Sequence, residues 1–281
     1  MVRYAPGVPV LYPMGVGQLI DASIKIYRRN WKTFIAIVAW LLVPLAFLQA
    51  FALRNAGGFS FTLPSNQANN PSAAFSTIFP GNTVLVLLGF YLLLFLIVTP
   101  FLTAAVALAT ADLYLGREVT VGSVYRASLR RFHSILWVLI LNAVVISVGL
   151  VLLIVPGLFF AVRFIMAPVI VVLETKRGTK ALGRAWRLSI GNFWRMLSLG
   201  ILTFLIVELV DFIVALIPDV IGALTGNIGW VFRGFGASAG MVIATPFTTI
   251  ALTLLYFDLR IRKEAFDLSI LAGENPDPAQ P

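Results

Sequence analysis

Two acids, Glu208 and Asp211, stand three residues apart in one strongly apolar stretch, and two arginines, Arg163 and Arg233, interrupt two others. A spacing of three returns both carboxylates to one face of a helix. At about 1.5 Å per residue, Glu208 lies about 20 Å beyond Arg195, and Arg163 and Arg233 fall at comparable depth. An isolated charge in hydrocarbon costs at least about 2 to 3 kcal/mol, so these four groups are expected to converge as pairs. Such a cluster is either a substrate or proton site or a structural ion-pair group. The structural reading is preferred, because no further buried acid or histidine extends a relay.

Gly236-Ala237-Ser238-Ala239-Gly240 matches the G-x-S-x-G pattern of serine hydrolases. A nucleophilic serine needs a base, and His133 is the sole histidine. His133 opens an apolar stretch at the opposite membrane boundary from Ser238, so the two are not expected to meet. Gly236, Gly240 and Ala244 instead form a small-residue stripe that admits a neighbouring helix. The chain has no cysteine, which excludes disulfides, thiolate metal sites and thiol nucleophiles. No phosphate loop, zinc spacing or nucleotide fingerprint is present, and no cofactor or metal is expected.

The elements that must carry these residues are set by composition. Of 281 residues, 59% are hydrophobic and 12% charged, with a mean hydropathy of +0.94. A water-soluble domain carries roughly 25% charged residues, so a soluble globular enzyme is excluded and an all-α polytopic membrane protein is expected. Six apolar segments are long enough to span, at about residues 33–53, 83–111, 134–154, 157–173, 195–217 and 230–257. Val155 and Pro156 are expected to turn the chain between the third and fourth. Three stretches, about 17–31, 119–132 and 179–193, show amphipathic spacing and read as interfacial helices preceding the odd-numbered spans. Residues 1–272 thus form one six-span domain of three helix-hairpin repeats, and 273–281 a disordered tail. No leader is expected in the first 30 residues, whose prolines interrupt any apolar core.

Each inward span carries a proline, Pro100, Pro168 or Pro246, expected to kink its helix. Two of these spans align without gaps, matching Thr99, Pro100, Phe101, Asp112, Leu113 and Glu118 with Thr245, Pro246, Phe247, Asp258, Leu259 and Glu264. The acids Asp112, Glu118, Asp258 and Glu264 lie where the spans end and are expected to pin the basic interfacial helices.

The formal net charge is +9, from 21 basic and 12 acidic residues. Every Lys and Arg except Arg54, Arg163 and Arg233 falls in segments assigned to one side. By the positive-inside rule both termini face the cytoplasm, in the inner or plasma membrane. The basicity therefore reflects topology, and the expected partners are anionic lipid headgroups and a membrane or cytoplasmic protein, without nucleic acid. The neutral, aromatic-rich connection from Arg54 to Asn82 is expected outside.

Two end motifs carry a family likeness. Gly17-Gln18-Leu19-Ile20-Asp21-Ala22 with Ile26-Tyr27-Arg28-Arg29-Asn30-Trp31, and Leu255-Tyr256-Phe257-Asp258-Leu259-Arg260 continuing to Leu268, resemble the bacterial membrane domain of glycerophosphoryl diester phosphodiesterases. The resemblance covers about residues 15–270 and implies a membrane domain that either precedes a catalytic domain or stands alone. The catalytic part of that family carries a His-Arg-Gly start, a second histidine and metal-binding carboxylates. This sequence has one histidine, no His-Arg-Gly and little chain after residue 270, so the resemblance does not imply hydrolysis. The expected function is a non-enzymatic scaffold or accessory module that binds lipid or envelope proteins. The alternative is a transporter or lipid translocator with a site at the repeat interfaces.

Overall fold

The computed structural model describes residues 13–55, 81–174 and 178–264. The aromatic-rich connection, the C-terminal tail and Leu268 of the second motif lie outside them. Among the described residues the secondary structure is helical, without strands. The elements are α1 (Val16–Arg29), α2 (Trp31–Asn55), α3 (Gly81–Leu93), a π-helical segment (Leu94–Val98), α4 (Thr99–Tyr114), α5 (Val121–Leu152), α6 (Ile154–Phe164), α7 (Ala167–Glu174), α8 (Thr179–Ser189), α9 (Phe193–Leu224), a short 3-10 turn (Gly226–Ile228) and α10 (Gly229–Glu264).

Among the described residues six stretches are long and apolar enough to cross a membrane: Trp31–Ala52, Thr83–Tyr114, Val121–Leu152, Ile154–Glu174, Phe193–Leu224 and Gly229–Glu264. Large apolar side chains line their outer surfaces, with Trp40 77% exposed and Val151 86% exposed. Water would penalise such a surface, whereas hydrocarbon does not. The chain is a membrane-embedded, multi-pass helical protein.

Local breakers explain where the helices stop. α1 opens on Gly15, whose backbone N–H donates to Gln18 Oε1 (2.7 Å), and closes on Asn30, whose amide donates to the Ile26 carbonyl (3.1 Å). α8 and α9 are parted at Gly191, where φ is +77°, a conformation that favours glycine. No such residue separates 119–132 from the third span. The expected second interfacial helix is therefore corrected, because Arg131-Phe132-His133-Ser134 continues the helical ladder and α5 runs unbroken from Val121.

The turn before the fourth span also differs from expectation. Leu153 alone is non-helical, at φ −161° and ψ 144°, and Pro156 sits inside the first turn of α6, where its missing N–H has no helical partner to lose. The fourth span is two helices, with Pro168 in the first turn of α7. Pro100 follows the π-helical segment, whose wider winding accommodates a residue without an N–H. Pro246, like Pro44 and Pro218, lies within a continuous helix.

The chain divides into two compact units. Unit 1 comprises residues up to Val38, Thr99–Glu208 and Ala244 onward. Its core is built from the alanine-rich face of α4 (Ala104, Ala105, Ala107, Ala109), from α7, and from Ile250, Leu254, Leu255 and Leu259 of α10, all buried. Tyr125 on α5 donates its hydroxyl proton to the Ile37 carbonyl, and Arg131 donates to the Val172 carbonyl, one of the four left open at the end of α7.

Unit 2 comprises Ala39–Val98 and Leu209–Ile243. Its α9 and α10 segments pack through glycines. A Cβ on Gly229 would strike the Gly222 carbonyl, one on Gly236 would meet Pro218 Cβ at 2.8 Å, and one on Gly240 would strike Asp211 Oδ1. Gly234 similarly faces Phe47 and Ala50 of α2. Arg54 lies over the Trp230 ring, 5.6 Å from its centroid.

Candidate functional site: a buried ion network

The last two turns of α10 place Tyr256, Arg260 and Glu264 on one face and Asp258 and Arg262 on another, because a spacing of four repeats a face and a spacing of two does not. Each face enters its own network in unit 1.

On the first face, Arg184 of α8 is held between two carboxylates. Its Nε donates to both oxygens of Glu174 at 2.9 Å, and its terminal nitrogens pair with Glu264, Nη2 reaching Oε2 at 2.7 Å. Tyr256 donates to Glu174 Oε1 at 3.0 Å and accepts from Arg260 Nη1 at 3.2 Å. Arg260 Nε closes the circuit on Glu264 Oε2 at 3.1 Å. The Glu174 side chain is 2% exposed and that of Arg184 14%. Burial alone would lower the Arg184 pKa, but its hydrogen bonds to Glu264 and Glu174 and their charge hold it above the usual arginine range. The guanidinium is a fixed cation joining α7, α8 and α10.

On the second face, Asp258 is fully buried. It pairs with Arg195 Nη2 at 2.8 Å and Arg262 Nε at 3.1 Å, and it accepts the Met14 backbone N–H at 2.7 Å. Both arginines donate in turn to the Met14 carbonyl. Three segments distant in sequence thus meet on one carboxylate.

A third arrangement surrounds Arg163. Its guanidinium carbon lies 4.9 Å from the ring centroids of both Phe159 and Trp186 and 5.9 Å from that of Phe193. Its Nη1 donates to Ser189 Oγ at 3.0 Å, which donates onward to the Trp186 carbonyl at 2.7 Å. The nearby charge of Lys263 repels it, and Lys263 Nζ donates to the Arg187 and Ile190 carbonyls at 2.7 Å each. Cations at the end of α8 complement its open carbonyls.

The expected convergence of Arg163 with Glu208 is thereby corrected. Among the described residues no ion pair joins them, because the aromatic rings and Ser189 draw the arginine to α8, while Glu208 is exposed on α9. In unit 2, Asp211 packs against Gly240, and Arg233 is exposed with its Cγ against Gly222.

The terminal acids take different roles. Glu264 pins α8 through Arg184, whereas Asp112, with 37% side-chain exposure, meets Arg117 at 3.5 Å. Glu118 is exposed in the connection after α4. Glu174 was not singled out from sequence, although a lone acid closing an otherwise apolar span is the signal that marks it. Ser238 donates to the Phe235 carbonyl of its own helix at 2.8 Å, and His133 is exposed. Among the described residues no three His, Asp or Glu side chains gather as a metal set.

Family models, curated proteins and solved structures contain no match to this chain. Its reading therefore rests on the geometry.

Proposed function

We propose that the chain is a non-enzymatic membrane module whose basic, cytoplasmic end presents α8 as a fixed platform for anionic lipid or an envelope protein. The observation that carries this reading is the disposition of charge. The buried acids Glu174 and Asp258 are engaged by protein partners, and their contacts immobilise α8, the start of α9 and Met14 rather than open onto a cleft. Full engagement suits a structural fastening, whereas a catalytic acid needs access to a reacting group. Lys180 and Arg187 on α8 remain exposed. Exposed cations of this kind attract anionic headgroups at a membrane surface.

This reading takes the resemblance of the two end motifs as a guide to architecture and carries no phosphodiester hydrolysis from it. The test is lipid analysis after extraction of the full chain into native nanodiscs. Anionic lipids should be enriched over bulk membrane. A bulk-like composition, together with solute flux in proteoliposomes, would replace the module by a transporter.

A further inference from the structure

α8 divides its cations by engagement. Arg184 is held in the ion network, while Lys180 and Arg187, on the adjoining turns, remain exposed. There a pocket of about 340 Å³ is lined by Thr179, Lys180, Gly183 and Arg187. That volume suits a small polar headgroup. The spacings 180, 183 and 187 keep the three residues on one helical face, with Thr179 in the opening turn.

Two further observations point to an occupant. Among the described residues neither Lys180 nor Arg187 makes an ion pair, and the nearby acids Glu174 and Glu264 are already engaged by Arg184, Tyr256 and Arg260. Arg163 and Lys263, at the far end of the same helix, add positive charge without a carboxylate of their own beyond the shared Glu264. Moreover, Gly183 is disfavoured inside a helix, yet a Cβ there would meet nothing within 4 Å. Helix packing does not require glycine at this position. Its absent side chain leaves backbone open between the two cations.

We propose that this face of α8 binds the phosphodiester headgroup of an anionic phospholipid, with Lys180 and Arg187 as its cationic ligands and Thr179 as a hydroxyl donor. The proposal rests on the module reading above and gives that platform its ligand. Lipid is favoured over free phosphate because Trp194, 77% exposed at the start of the span that follows α8, marks the headgroup level.

The test compares full-length wild type with K180Q/R187Q and with R28Q/R29Q in detergent. Thermal stabilisation is titrated with phosphatidylglycerol, phosphatidylcholine, sn-glycerol 3-phosphate and inorganic phosphate. Each cation facing an anionic headgroup is worth about fivefold in affinity, so K180Q/R187Q should bind phosphatidylglycerol about 30-fold more weakly. R28Q/R29Q should bind nearly as wild type, and phosphatidylcholine should be the weaker lipid throughout. Melting of both variants without lipid should match wild type, which shows that the fold carrying α8 is intact. Unchanged phosphatidylglycerol binding by K180Q/R187Q overturns the pocket and leaves the module reading standing. An equal loss in R28Q/R29Q overturns it in favour of diffuse surface charge. Equal stabilisation by glycerol phosphate or inorganic phosphate overturns the lipid source. No preference for anionic lipid in wild type overturns both readings.

Discussion

Glu174→Gln isolates the part of the network that sequence alone conceals. The wild-type carboxylate accepts one hydrogen bond from Arg184 Nε, shared between its two oxygens, and one from Tyr256, in a site 2% exposed. Glutamine keeps one acceptor oxygen but turns an N–H toward a group that also donates, and it removes the charge opposite a buried guanidinium. Breaking one side of a buried pair costs about 3 to 5 kcal/mol, and Glu264 retains part of the compensation, so about 3 kcal/mol is expected. For a chain of this size that corresponds to a melting shift of about 6 to 12 °C. Glu264→Gln, at a side chain 29% exposed, should cost about 1 kcal/mol. Melting in one detergent reads both variants. Equal shifts for the two variants, or a shift under 2 °C for Glu174→Gln, would refute the assignment of α8's anchorage to the buried acid.

Three further outcomes test the remaining geometry. Asp258→Asn should lower stability by about 3 kcal/mol and speed hydrogen exchange at the Met14 amide, whereas Asp112→Asn at the more exposed pair should change melting little. Gly229→Ala should destabilise by about 1 to 3 kcal/mol because its Cβ collides with the Gly222 backbone, while Gly183→Ala should be neutral or stabilise by up to about 1 kcal/mol. Cysteines introduced at Ser65 and Ser269, both outside the described residues, should differ in labelling by an impermeant reagent. Only the former should react in intact cells, and equal labelling contradicts the one-sided placement of the basic segments.

Sequence reasoning reached the apolar helices because hydropathy over 20 residues is a local property. The breaks at Asn30 and Gly191, where residue type dictates the backbone, fall within two residues of the ends expected for the stretches 17–31 and 179–193. Sequence reasoning misplaced the break before the third span because amphipathic spacing does not by itself end a helix, and nothing between Arg131 and Ile135 interrupts one. Asp112 and Asp258 look equivalent in the aligned spans, yet only the second is fully buried, because its partners Arg195 and Met14 come from elsewhere in the chain. Arg163 shows the limit of depth counting. Residue number sets the height of its Cα, but a long side chain carries its charge to wherever rings and acceptors stand.

The placement of both ion networks on α10 bears on biogenesis. α7 and α8 leave the ribosome some eighty residues before Glu264, and Met14 far earlier still, yet each finds its carboxylate or guanidinium partner on α10. A nascent chain halted before that helix would hold Arg184 with Glu174 alone and leave Arg195 without its acid. The earlier segments can therefore be inserted in order, but their polar ends lock only when synthesis delivers α10.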